Sequence, residues 1–367
     1  VKFVLLSSTD TGVTFRNDIL ETRDFNPIKY IYIYNGAGVG TGDINNDGQP
    51  DLFFAGNQVP SRLYINKGNM KFEDITESAG ILEEGWATGV SFVDINSDGL
   101  MDIYVCIANT DPGKAENQLY INQGDGRFKE EAKAYGLNDN GYSTQATFFD
   151  YDQDGDLDMY LLTNGIDKFN HNNMRPIKKD GTGISTDRLY RNNGDNIFTN
   201  VSREAGITIE GYGLGVGIMD VNHDGWPDIY CSNDFITNDL LWVNNGDGTF
   251  TDRIVDYISQ TSRNGMGMDI ADYNNDGMPD IVQMDMLPES NLHNKTMTPA
   301  MNYNNQTIRF GLDYMAQFVR NTLQLRNADG SFSEMGRLAG IHKTDWSWAP
   351  LLADYDNDGL KDLFLTN

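Results

Sequence analysis

The sequence predicts an all-β fold, a β-propeller assembled from repeated four-stranded blades. Three observations predict it. A nine-residue acidic pattern, D-x-[D/N]-x-D-G-x-x-D, occurs six times in the 367 residues. Every copy has strand-like sequence on both sides. A second pair of short strand-like segments follows each of the first three copies and the fourth, and a divergent version follows the fifth. Internal periods of this size belong to propellers and solenoids.

The six copies are Asp43–Asp51, Asp94–Asp102, Asp150–Asp158, Asp220–Asp228, Asp272–Asp280 and Asp354–Asp362, spaced by 51, 56, 70, 52 and 82 residues. Positions 1, 3, 5 and 9 carry oxygen side chains. They are Asp43, Asn45, Asp47 and Asp51; Asp94, Asn96, Asp98 and Asp102; Asp150, Asp152, Asp154 and Asp158. The later three loops supply Asp220, Asn222, Asp224 and Asp228; Asp272, Asn274, Asp276 and Asp280; Asp354, Asp356, Asp358 and Asp362. Alternate residues along a tight turn converge on one point, and a hard cation wants oxygens; Ca²⁺ takes six to eight of them. Position 7 is expected to add a backbone carbonyl, from Gln49, Leu100, Asp156, Trp226, Met278 and Leu360. Position 6 is always Gly, which accepts a positive φ without steric cost. The first six positions look like an EF-hand loop. The rest does not, because position 12 is Phe54, Val105, Leu161, Cys231, Gln283 or Leu365 rather than a bidentate Glu. Up to six structural Ca²⁺ ions are therefore expected, with the four-carboxylate loops at 150 and 354 binding tightest. A metal-free Asp/Asn/Gly turn is the bland alternative, and the six-fold spacing weighs against it.

After each loop come β-prone runs such as LFFAG, IYVCI, MYLLT and IYCSN. Next comes an L-Y-x-N-x-G segment: RLYINKG from Arg62, QLYINQG from Gln118, RLYRNNG from Arg188, LLWVNNG from Leu240 and a divergent TLQLRNADG from Thr322. An aromatic strand and small turn close the unit, as in KFEDITESAGI and RFKEEAKAYGL. Each unit thus reads as four short strands with an ion-tied hairpin.

Residues 1–367 read as a single propeller with insertions near 165–186 and 287–320, the second containing a possible short helix at Tyr314–Val319. Residues 2–13 resemble KFEDITESAGI, and the sequence stops just after a loop strand. Six repeats are visible; a longer parent, extended at the C-terminus and with seven blades possible, is expected, one terminus completing the other's blade.

Net charge is −27, from 54 acidic and 27 basic residues. Twenty of the acids occupy loop positions 1, 3, 5 or 9. The remaining acidity argues against nucleic acid, which needs a basic footprint. Extracellular-type calcium sites have Kd values of about 10⁻⁴–10⁻³ M. Six independent sites of 10⁻⁴ M in about 1 mM Ca²⁺ would add roughly 8 kcal/mol of stability. That points to an extracellular, outer-membrane-surface or periplasmic setting. The two cysteines, Cys106 and Cys231, lie in different, non-adjacent units and are expected to be free buried thiols. No transmembrane segment is present in the sequence.

The G-V-x-x-x-D-x-N-x-D-G-x-x-D-[I/L] signature resembles that of FG-GAP/VCBS repeat proteins, the propeller type of integrin α-subunits. The phrases YIYIYNGAGVGTGDINNDG from Tyr30, QMDMLPESN from Gln283 and TDWSWAPLLADYDNDG from Thr344 are similar to the cartilage acidic protein/UnbV-type family, abundant in Bacteroidetes. The resemblance covers essentially the whole length. It implies a secreted or outer-membrane-attached calcium-binding propeller.

Eight residues before each loop stand Asn35, Trp86, Tyr142, Tyr212, Asn264 and Trp346, with Trp348 two further on. Trp86, Tyr142, Tyr212, Trp346 and Trp348 are candidate ligand residues, since aromatic rings stack on sugars or grip peptides; blade-to-blade packing is the competing reading. A cell-surface binding or adhesion module for glycan or protein is the preferred function. The alternative is a calcium-dependent polysaccharide lyase or hydrolase on a propeller scaffold. A purely structural repeat in a larger surface protein is a third. His171, His223, His293 and His342 come with no partner that would make a catalytic pair, and no catalytic residue is assigned.

Overall fold

A computed structural model describes residues 3–82, 85–108, 116–165, 174–235, 237–297 and 303–367. Five four-stranded antiparallel sheets follow one another along the chain. The first holds β1 (Val39–Gly42), β2 (Asp51–Phe54), β3 (Arg62–Asn66) and β4 (Phe72–Asp74). The second holds β5 (Ala87–Val93), β6 (Asp102–Ile107), β7 (Gln118–Asn122) and β8 (Phe128–Glu130). The third holds β9 (Ser143–Phe149), β10 (Asp158–Thr163), β11 (Arg188–Asn192) and β12 (Phe198–Asn200). The fourth holds β13 (Gly213–Met219), β14 (Asp228–Asn233), β15 (Leu240–Asn244) and β16 (Phe250–Asp252). A short strand β17 (Gln260–Ser262) precedes the fifth sheet, which holds β18 (Met268–Ala271), β19 (Asp280–Gln283), β21 (Thr322–Arg326) and β22 (Phe332–Glu334). Between them β20 (Ala316–Phe318) pairs in parallel with β17. A sixth sheet has two strands, β23 (Pro350–Ala353) and β24 (Asp362–Leu365). Every loop of the acidic pattern joins the first two strands of its sheet, as the sequence predicts.

The second strands explain their own sequences. β6, β10 and β14 are buried at every position, so after the opening Asp each reads as an apolar stretch rather than a polar–apolar alternation, with Thr163, Ser232 and Asn233 buried at the ends. The sheets stack in chain order, with the inner strands β1, β5, β9, β13, β18 and β23 each touching the next. A separate apolar core fills each interface. Between the first and second sheets it includes Phe53, Leu63, Ile103, Val105 and Tyr120. Between the second and third it includes Tyr104, Leu119, Met159, Leu161 and Tyr190. The Leu-Tyr pair of the third strand is thereby accounted for: Tyr120 faces back to the first sheet and Leu119 forward to the third, because adjacent strand residues point to opposite faces. Each such buried side chain stabilises by about 1.5–3 kcal/mol.

Two glycines show how closely the sheets approach. A Cβ on Gly213 would stand 2.4 Å from Leu162 Cδ1 of the third sheet. Three short helices precede the third sheet, α1 (Ser8–Thr11), α2 (Thr76–Ala79) and α3 (Ala132–Tyr135), and Gly136 ends the last of them. It has φ 76°, and a Cβ there would lie 2.7 Å from the carbonyl oxygen of Phe198. Only Gly fits both conditions.

Three expectations need correction or placement. Tyr314–Val319 contains strand β20, not a helix. Tertiary pairing overrides local preference there: β20 lies beside β17, and the buried Gln317 amide donates to the Thr237 carbonyl at 2.7 Å. The helices of that insertion are α5 (Asn291–Met297) and α6 (Tyr303–Phe310), after α4 (Ile254–Tyr257). The insertion near 165–186 lies partly outside the described residues, as does His171. Residues 3–12 do behave like KFEDITESAGI in part. Phe3 packs on Tyr355 and Phe364 of the sixth sheet at 5.7 and 5.6 Å. α1 ends on Gly12 in the left-handed region, as α2 ends on Gly80. No ladder forms at residues 3–7, and β24 has no third strand beside it among the described residues. Cys106 and Cys231 are free and buried, as expected.

Candidate metal loops and the opposite end of the sheets

The six acidic loops share one hydrogen-bond plan. The position 1 carboxylate accepts the N–H of position 5 on one oxygen and of the position 6 Gly on the other. For Asp43 the donors are Asp47 at 3.0 Å and Gly48 at 2.7 Å. Asp94, Asp150, Asp220, Asp272 and Asp354 repeat both bonds at 2.8 to 3.1 Å. The position 5 carboxylate accepts the N–H of position 7, as in Gln49 to Asp47 at 2.9 Å. The partners Leu100, Asp156, Trp226, Met278 and Leu360 do the same for Asp98, Asp154, Asp224, Asp276 and Asp358. Position 4 is left-handed in every loop, at φ 56° to 59° for Asn46, Ser97, Gln153, His223, Asn275 and Asn357.

Position 9 is the anchor. Asp51, Asp102, Asp158, Asp228 and Asp280 are fully buried. One oxygen accepts the N–H of position 2 in the loop, from Ile44, Ile95, Tyr151, Val221 and Tyr273. The other accepts the N–H of the fifth residue of the third strand, from Asn66, Asn122, Asn192, Asn244 and Arg326 at 2.6 to 2.8 Å. Burial raises these carboxyls, to about 7 in Asp102, about 8 in Asp158 and about 6 in Asp228. The two backbone donors oppose that rise, and nearby loop carboxylates add to it. Among the described residues Asp362 of the sixth loop keeps only the Tyr355 N–H, at 3.2 Å, and it is partly exposed.

The loops differ at position 3. Asn45, Asn96, Asn222 and Asn274 each donate a side-chain N–H to the position 5 carboxylate at 2.7 to 3.0 Å. In the all-carboxylate loops no such donor exists. There Asp150, Asp152 and Asp158 offer oxygens within 4.8 Å of one another, and so do Asp354, Asp356 and Asp362. In the third loop Asp152 Oδ1 and Asp156 Oδ1 are buried with no hydrogen-bond partner. Converging anionic oxygens with no side-chain donor among them suit a hard cation.

At the opposite end of the strands lie the aromatic candidates. Trp86 packs on Phe25 and Tyr30 at 5.1 and 5.4 Å, so the segment before the first sheet covers it. Tyr212 is buried against Phe235 at 5.3 Å. Tyr142 bridges to Ala108 and stands beside Gly165. Trp348 is half-buried and packs against the core between the fifth and sixth sheets. Trp346 is half exposed. Asn35 and Asn264 bond locally, Asn264 to Asp285. The five aromatics therefore do not form one open surface: three are held by neighbouring rings or core, Tyr142 is half-buried, and Trp346 is open. Of the histidines, His293 is exposed on α5, and His342 is partly buried and lowered by burial and nearby cations.

The family model described as FG-GAP-like repeat matches residues 43–105, 106–161, 180–231 and 220–282, more than half of the sequence. The chain belongs to the FG-GAP-like repeat family. Cartilage acidic protein 1 of Xenopus tropicalis is 28% identical over 284 residues, 71% of this chain and 40% of that protein. The Homo sapiens protein of the same name is 26% identical over 277 residues, again 71% and 40%. The chain thus spans about two-fifths of the length of these curated relatives. Among solved structures, the Vibrio cholerae biofilm matrix protein Bap1 aligns at a TM-score of 0.39 and 15% identity, over 81% of this chain and 38% of that one. A GH43 β-1,3-galactosidase with galactodeoxynojirimycin aligns at 0.39 and 12%, over 82% and 93%. Likeness at that level is too loose to speak for fold or role.

The FG-GAP repeats hold a second anchor that sequence reading missed. The residue just before each third strand accepts the N–H at the end of the second strand. The pairs are Ser61 with Gly56, Asn117 with Ile107, Asp187 with Thr163, Asp239 with Asn233 and Asn321 with Asp285, at 2.7 to 2.9 Å. Tyrosines of the second strand add to it: Tyr160 donates to Asp187 and Tyr230 to Asp239, both at 2.8 Å. The signal was present, since Ser, Asn or Asp precedes every third strand, but residues of those types are ordinary in turns.

Proposed function

We propose that this chain is a calcium-pinned FG-GAP propeller that acts outside the cell as a binding module for glycan or protein. The observation that carries the reading is the repetition of one loop geometry six times, with acidic oxygens converging in the third and sixth loops. The residues that would hold the ions are those at positions 1, 3, 5 and 9, with position 7 contributing a carbonyl. A bound Ca²⁺ would supply a fixed divalent charge that offsets carboxylate repulsion in the turn. The protein does the rest: the position 9 carboxylate joins loop to third strand, so ordering a loop orders its sheet. Supporting the fit are the unpartnered Asp152 Oδ1 and Asp156 Oδ1.

The reading puts binding at the end of the strands away from the loops. It is supported by Tyr32 of the 16–35 segment bonding Asp234 after β14, by Tyr314 bonding the Arg175 carbonyl, and by insertions in repeats usually marking the binding face. No helix among the described residues is long and apolar enough to cross a membrane. Two measurements test the proposal. Calorimetric titration of chelator-stripped protein with CaCl₂ should show saturable heat; none would end the calcium reading. A glycan and matrix-protein array with and without EDTA should give calcium-dependent hits; hits that survive EDTA unchanged would separate binding from calcium.

A further inference from the structure

Two independent sets of hydrogen bonds tie neighbouring loops; they agree on the first with the second and the third with the fourth, and the first set alone adds the fifth with the sixth. The first set comes from position 4. Asn46 Nδ2 donates to the Gly99 carbonyl of the second loop at 3.0 Å. Gln153 Nε2 donates to Gly225 of the fourth loop at 2.7 Å. Asn275 Nδ2 donates to Gly359 of the sixth loop at 2.7 Å. The same position in the second and fourth loops is Ser97 and His223, and among the described residues neither bonds to the following loop. The second set comes from the third strands. Asn122 Nδ2 spans the first and second loops, donating to Ile44 at 2.8 Å and Met101 at 3.2 Å. Asn244 Nδ2 spans the third and fourth, donating to Tyr151 at 2.8 Å and Pro227 at 3.3 Å. Their counterparts Asn66 and Asn192 reach only their own loops, at Pro50 and Leu157.

The position 4 bond lands on a sensitive peptide group. The carbonyl of Gly225 takes the Gln153 amide, and the N–H of that same peptide, on Trp226, holds the Asp224 carboxylate at 2.9 Å. Trp226 is also the position 7 residue. One loop therefore fixes the peptide plane whose N–H holds its partner's position 5 carboxylate, immediately before the position 7 carbonyl. Linked hydrogen bonds polarise one another. Ordering one member also lowers the entropy lost when the second is ordered.

We infer that the loops take up divalent cations as coupled pairs, first with second, third with fourth and fifth with sixth, rather than as six independent sites. This rests on the calcium reading above. Trp226 is the only tryptophan inside any of the six loops, so its indole can sensitise Tb³⁺ luminescence from the fourth loop. The probe is Tb³⁺ added to chelator-stripped protein, and the signal is the part lost in Trp226→Phe. Gln153→Ala removes an exposed side chain that offers no ligand. It should raise the fourth loop's Tb³⁺ midpoint about fivefold or more, the usual scale of a coupling free energy. Asp154→Ala in the third loop should do the same. Asp276→Ala in the fifth loop, a neighbour not tied to the fourth, should leave the midpoint within about twofold. If Gln153→Ala leaves the midpoint where it was while Tb³⁺ still binds, the pairing is wrong and the calcium reading stands. If Asp276→Ala shifts it as far as Asp154→Ala, coupling is general and the pairing is again wrong. If no Trp226-dependent signal appears at any concentration, the cation reading fails and the pairing with it.

Discussion

Tyr32 donates its hydroxyl to Asp234 Oδ2 at 2.8 Å, joining residues 202 positions apart in the chain. Both are buried. Asn164 Nδ2 donates to the same tyrosine oxygen at 3.1 Å. This one ring thus fastens the segment ahead of the first sheet to the ends of β10 and β14, with Phe235 packed beside it at 5.9 Å.

Tyr32→Phe keeps the ring and removes the bond. Asp234 and Asn164 are then left short of a partner, and an unmet buried group costs about 1–3 kcal/mol. Denaturant unfolding should show a loss of that size, and limited proteolysis should cut faster between residues 13 and 38. Unchanged cleavage would mean the segment is held elsewhere.

Asp239 offers a pH test. It is fully buried, and burial lifts its carboxyl to about 7 against the pull of Asn233, Tyr230 and Gln283. A carboxyl raised in the folded state favours folding while protonated. Its share of stability is complete below the unfolded value near 3.9 and is lost as pH rises through about 7. Asp239→Asn should fold, because Asn117 already fills the equivalent place, accepting from Ile107 N–H and donating to Tyr104 Oη. The variant should flatten the fall in stability between pH 5 and pH 8 by on the order of 2 kcal/mol. An identical pH slope in variant and parent would refute the assignment.

The two four-carboxylate loops should differ. Asp158 is held by both Tyr151 and Asn192, whereas among the described residues Asp362 has only Tyr355. Preorganised ligands lose less on binding. Calcium titrations of Asp154→Ala and Asp358→Ala should therefore show the larger loss of tight binding in the third loop. Chelation with EDTA should lower the melting temperature by several degrees at least, each kcal/mol being worth about 2–4 °C in a chain of this size or somewhat smaller.

Glycine positions give a packing test. Gly136→Ala meets both a positive φ and the Phe198 carbonyl at 2.7 Å, and should cost about 2 kcal/mol or more. Gly99→Ala has φ 84° but open space around it, so only the backbone term of about 1 kcal/mol should appear. Equal losses would show that the contact between the second and third sheets is not tight.

Much of this was legible in the residues. Gly48 and its five counterparts, the alternating oxygens and the flanking apolar runs located all six hairpins, because those features act within a dozen residues. The left-handed position 4 was not legible, since Asn, Ser, Gln and His share it and only the turn's closure requires it. The expected helix at 314–319 failed for a related reason: its partner, β17, lies more than fifty residues earlier. Nor could spacing reveal that Trp86 and Tyr212 are covered by Phe25, Tyr30 and Phe235.

The amino-acid sequence by itself determined the repeat, the loop chemistry and the strand order, since these follow from local periodicity and from residues that tolerate a sharp turn. Tertiary structure alone decided which loops touch, which aromatic rings stay open and which carboxylates are buried. Those properties depend on where one sheet sits against the next, and that is set by side-chain packing between units rather than by sequence within one.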